Sequence, residues 1–86
     1  MNIRKQLVKR NIAGDVILVP VGDASLEIKG LLTLNETGEL LWDALPEAAD
    51  EAALTAVLQE EYDVDGATAR RDVEDFLAKL RELQVI

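Results

Sequence analysis

The sequence contains no cysteine and no histidine. Without cysteine there is no disulfide framework, no thiolate metal site and no cysteine nucleophile. Without histidine the usual zinc sites and the Ser–His and Cys–His pairs of covalent catalysis are gone as well. An all-carboxylate magnesium or calcium site stays formally open. The one suggestive stretch, Tyr62-Asp63-Val64-Asp65-Gly66, lacks the rest of a calcium loop. No Gly-rich phosphate loop is present. No apolar run approaches the ~18 residues that cross a bilayer. Met1-Asn2-Ile3-Arg4-Lys5-Gln6 is not followed by the apolar stretch and cleavage site of a signal peptide. These absences lead to an expected non-catalytic protein with no metal, no cofactor and no membrane association, located in the cytoplasm.

What remains suffices for a core. With 86 residues, 49% of them apolar, the chain is expected to form a single domain over residues 1–86. Its net charge of −8 is unevenly spread. Residues 35–66 carry ten acids and no base, residues 1–34 five bases and three acids, and residues 67–86 four of each. The acidic middle favours solubility and repels phosphate backbones, so no nucleic-acid partner is expected.

The first third reads as β. A mixed run over residues 7–12 is followed by turn chemistry at Ala13-Gly14-Asp15. The β-branched run Val16-Ile17-Leu18-Val19 then has the look of a strand covered on both faces. Pro20 and Gly22-Asp23 punctuate it. A third strand is expected over residues 27–34, with Ile28, Gly30, Leu32 and Leu34 on one face and Lys29, Leu31 and Thr33 on the other. The rest is helical. Asn35, Asp50 and Asp65 are good N-caps, and Pro46 stops the first helix. Gly38 sits in that helix at a cost of roughly 1 kcal/mol relative to Ala, which suggests that another backbone packs close to it. Trp42 reads as a core or boundary anchor. The third helix is the longest, with Ala69, Val73, Phe76, Leu77, Leu80 and Leu83 at amphipathic spacing. Three strands then three helices make an α+β domain, the helices on one side of a small antiparallel sheet.

Such a sheet has edges, and an exposed edge beside an apolar helix accepts a peptide as an added strand. The third helix is the natural second wall. At about 100° per residue, Arg70 and Arg81 fall roughly 60–80° from Val73, along one margin of the apolar face. There they could grip a peptide carboxylate while Val73, Phe76, Leu77 and Leu80 take apolar side chains. In the plainer alternative Arg70 pairs with Glu74 and Arg81 is solvated. Asp72 and Lys79 lie on the opposite margin. Asp75 and Lys79 read as a surface pair.

Gly30-Leu31-Leu32-Thr33-Leu34-Asn35-Glu36-Thr37-Gly38 followed by Leu41-Trp42 resembles the hallmark segment of the PqqD family. Ile12-Ala13-Gly14-Asp15, Val19-Pro20-Val21-Gly22, Leu58-Gln59-Glu60-Glu61-Tyr62-Asp63-Val64-Asp65 and Asp72-Val73-Glu74-Asp75-Phe76-Leu77-Ala78-Lys79-Leu80 fit the same pattern, so the resemblance runs from Val8 to Ile86. It implies a winged helix-turn-helix-like fold and a non-catalytic role as a recognition element, or peptide chaperone, for ribosomally made, modified peptides. The precursor's leader peptide would bind as an extra strand beside strand 3, against helix 3, and be presented to a modifying enzyme, in this family often of the radical SAM class. Carried over by position, the binding residues would be Ile28, Lys29, Gly30, Leu31, Leu32, Thr33 and Leu34 from the strand. The helix would add Arg70, Val73, Phe76, Leu77, Leu80 and Arg81. The protein is expected as a monomer or weak homodimer. Two other readings compete: a regulatory subunit that contacts only a protein partner, and a winged-helix DNA-binding regulator.

Overall fold

The computed structural model describes residues 1–28 and 32–86. Strands β1 (Leu7–Ile12) and β2 (Asp15–Pro20) pair antiparallel from Leu7↔Pro20 to Ile12↔Asp15. Only Ala13 and Gly14 are left to make the turn, at φ 53° and 87°. A two-residue turn with both residues left-handed matches the twist of the strands it joins. Gly14 adopts that conformation freely and Ala13 at modest cost.

The expected third strand starts late. Beyond Gly22, at φ 59°, residues Ala24–Glu27 form a helical turn, α1. The Ser25 hydroxyl and N–H both donate to the Gly22 carbonyl, at 2.7 and 3.1 Å. These local bonds override the strand pattern at residue 27, because a side chain two or three positions away competes effectively for backbone groups. Ile28 is extended, but its N–H donates to the Ala24 carbonyl at 2.9 Å and only 9% of the residue is exposed. Among the described residues β3 is Leu32–Leu34; Lys29, Gly30 and Leu31 of the expected strand lie outside them. β3 pairs antiparallel with β2, giving the order β1-β2-β3. Coverage of β2 is partial on both faces: Leu18 is buried, whereas Val16 on the same face and Ile17 and Val19 on the other are half-buried.

Three helices follow: α2 (Glu36–Ala44), α3 (Glu51–Glu61) and α4 (Gly66–Glu82), with a 3₁₀ turn at Leu45–Glu47 that contains Pro46 and ends α2. Each has the expected cap. Asn35 accepts from the Gly38 N–H at 2.8 Å, Asp50 from Ala53 at 2.9 Å and Asp65 from Thr68 at 2.7 Å. The Thr68 bond, above all its backbone N–H, holds the Asp65 carboxyl below its ordinary range. The core lies among the helices and the inner sheet face. Leu41, Leu45, Leu54, Leu58, Ala69, Val73, Leu77 and Leu80 are almost wholly buried. Lys9 of β1 fastens the sheet to α2, its ammonium 2.9 Å from both Glu39 and Asp43. Those two hydrogen-bonded carboxylates, Asp43 first, raise its pKa. Among the described residues, no helix is long and apolar enough to cross a membrane.

Candidate functional site

β3 is the last strand of the sheet. Its inner side is bonded to β2 through Val16↔Leu34, Ile17↔Thr33 and Leu18↔Leu32. Among the described residues no strand pairs with its other side, so the alternate N–H and C=O groups that point outward are free to accept one.

Beside this edge runs a groove of about 610 Å³. Leu32, Thr33, Leu34 and Asn35 make one wall, and Asp72, Asp75, Phe76 and Lys79 of α4 make the other. Gly38 and Leu41, both buried, lie between them at the start of α2. The sequence places α2 there by capping. Asn35 ends β3 and starts α2 in a single residue, so the chain turns from the groove's first wall directly into its floor. Gly38 is small for a local reason. A Cβ there would meet the Asn35 Oδ1 at 3.1 Å and Leu34 Cδ2 at 3.3 Å. The crowding thus comes from side chains of the two residues before the helix, not from a second backbone.

Of the residues expected to bind peptide, the structure brings Leu32, Thr33, Leu34 and Phe76 to the groove. Val73, Leu77 and Leu80 are sealed in the core at 0% exposure, and Ile28 is buried with them. They support the groove from behind and present no surface to it. Phe76, half-buried, both packs on the core and lines the groove. The expected arginine margin lies away from this groove. Arg81 reaches across to Glu51 of α3 at 3.3 Å, and neither it nor Arg70 borders the groove. Arg70 is exposed and, among the described residues, makes no ion pair with Glu74 or any other acid.

The charged residues that do border the groove are others. Asp72 and Lys79 occupy the margin opposite the arginines, and Asp75 joins them. Among the described residues Asp72, Asp75 and Lys79 have no ion-pair partner, the expected Asp75–Lys79 pair included. Asp15, at the start of β2, adds a further acid. One signal in the sequence pointed this way. Phe76 lies toward the Asp72 and Lys79 margin, and a large aromatic at the rim of a buried stripe marks the side where the surface opens.

The match with known proteins follows the same lines. The family model for coenzyme PQQ synthesis protein D, PqqD, matches residues 16–86. No curated protein matches the sequence. A solved structure, TbiB1 in complex with the TbiA(beta) leader peptide, is similar with a TM-score of 0.75 at 27% identity, over 99% of this chain and 93% of that one. With 71 of its 86 residues spanned by the family model and an α+β fold shared along nearly its whole length, this chain belongs to the PqqD family.

Proposed function

We propose that the protein binds the leader of a ribosomally made precursor peptide as a strand added to β3, and presents it to a modifying enzyme. The free outer edge of β3 above the groove is the observation that carries this reading. Backbone pairing along β3 supplies affinity, and the pockets between β3 and α4 sort alternate side chains. The groove's volume is in the range of built ligand sites, roughly 300–1,000 Å³. Likeness to a protein solved with a leader peptide supports the same occupant. The chain acts as one recognition domain in the cytoplasm, binding rather than catalysing, in keeping with a sequence that has neither His nor Cys. On the family resemblance alone, the recipient enzyme is taken to be of the radical SAM class.

The test is an amide-shift titration with synthetic leader peptides drawn from any short reading frame found beside the gene. Shifts concentrated in residues 32–38 and 72–79 are expected. Shifts confined to α3 and the far side of α4 would move the site elsewhere. Phe76→Ala should weaken binding. Because Phe76 also packs on the core, its melting curve must be measured alongside. If the leader does not bind at all, while the protein still associates with the modifying enzyme, the chain is a protein-only subunit.

A further inference from the structure

The groove carries a sign of charge opposite to the one the arginines would have given it. Among the described residues, Asp15, Asp72 and Asp75 border it against a single cation, Lys79. Asp72 and Asp75 are three residues apart on α4, so their side chains are neighbours on one helix face, roughly 5–6 Å apart at Cβ. Both can therefore reach one cation, and neither is engaged by another among the described residues. Next to them Phe76 and Leu32, both half-buried, offer an apolar surface. The acids alone would be a solvated rim. The unpaired strand edge and the apolar surface make the place where a strand can lie, and the acids decide which strand.

Resting on the strand-addition reading above, we propose that the groove selects a peptide segment presenting a lysine or arginine next to an apolar side chain. The cation sits between Asp72 and Asp75 and the apolar group sits on Phe76. Lys79, one turn further along α4, disfavours a second cation there and so fixes which end of the segment is basic. An arginine suits the site well, since its planar fork can serve two carboxylates at once.

A messenger-displayed library of random peptides about 12 residues long, selected on the intact protein, tests this. Selected sequences should be enriched in Lys and Arg next to an apolar residue. A synthetic winner should bind the Asp72→Asn, Asp75→Asn double variant about five- to tenfold more weakly, the sum of two exposed charge contacts. The loss should shrink in high salt. Lys79→Gln should tighten binding by about two- to threefold, from removal of one like charge. Arg81→Gln changes the net charge equally but lies off the groove. It should leave affinity within about 1.5-fold, which separates a local site from the pull of the whole protein's field.

Enrichment of acidic residues, no charge bias, or a double variant within twofold of wild type would overturn the proposal. So would equal tightening by Arg81→Gln and Lys79→Gln. If winners without a basic preference still shift amides in residues 32–38 and 72–79, strand addition stands and only the charge preference fails. If winners shift other surfaces, or none are selected, both readings fail.

Discussion

On the side of α4 that faces α3, Arg81 meets Glu51 at 3.3 Å and the apolar residues between the helices are almost fully buried. On the side that faces β3, Asp72, Asp75 and Lys79 have no ionic partner among the described residues, and Phe76 is left half-exposed over an open groove. One buried stripe, Ala69, Val73, Leu77 and Leu80, separates the two margins. The α3 side is finished by folding. The β3 side keeps a free strand edge, unpaired charges and apolar surface, all of which natural sheets otherwise tend to blunt or cover. Groups left unsatisfied by a fold in this way are available to a partner, and the difference between the margins is where structure passes into function.

The comparison breaks most severely at the stripe itself. Leu77 has 0% exposure, and Leu77→Ala should cost about 2–5 kcal/mol through lost burial and the cavity left behind. A domain of this length has roughly 4–13 kcal/mol in all, at 0.05–0.15 kcal/mol per residue. Both margins should therefore fail together. Chemical denaturation would show a large fall in midpoint, and peptide binding would drop only in proportion to the unfolded fraction. A variant that folds normally but no longer binds would place Leu77 at the groove surface, contrary to its burial.

A smaller effect is expected at the groove's floor. Gly38→Ala would ordinarily help a helix by up to ~1 kcal/mol, and less in the first turn, where Gly38 sits. The new Cβ would press on Asn35 Oδ1 at 3.1 Å and Leu34 Cδ2 at 3.3 Å. The first of these atoms is the cap acceptor for the Gly38 N–H itself. Displacing it loosens a cap worth typically ~1 kcal/mol. The expected net result is a loss of about 0.5–1 kcal/mol, seen as a lower denaturation midpoint. A raised midpoint would mean that Leu34 and Asn35 yield easily and that the glycine is there for some other reason.

Much of this arrangement was legible in the sequence because it is local. Asn35, Asp50 and Asp65 cap as their types and positions predict, and Ala13-Gly14 turns the hairpin. The helix-α1 turn was missed because Gly22-Asp23 signals a turn without saying that Ala24–Glu27 will continue it as a helix. Which margin of α4 borders the groove was not legible, for a different reason. Helical periodicity identifies the buried arc of a helix but not which neighbour lies to its left or right; that depends on the hand of the whole α2–α3–α4 arrangement. Charge held a clue. A stretch of 32 residues with ten acids and no base needs cations from elsewhere, and Arg81 supplies one to Glu51 while Lys9 serves Glu39 and Asp43.

The smallest expected effect tests whether the arginine margin is as inert as its geometry implies. Arg81 and Glu51 have side chains 55% and 44% exposed, and an ion pair so open to water is worth only ~0.2–1 kcal/mol, because the entropy of holding two long side chains offsets much of its Coulomb energy. Arg81→Gln should therefore lower stability by about 0.5 kcal/mol or less. Combined with Glu51→Gln, the coupling in a double-mutant cycle should be equally small and should fade as salt rises. Leader affinity should not change, because no atom of Arg81 lines the groove. The result most damaging to the two-margin picture would be normal stability with a several-fold loss of peptide binding that salt diminishes. That would return the arginines to the peptide site and require the leader to wrap past β3 onto the α3 side of the helix.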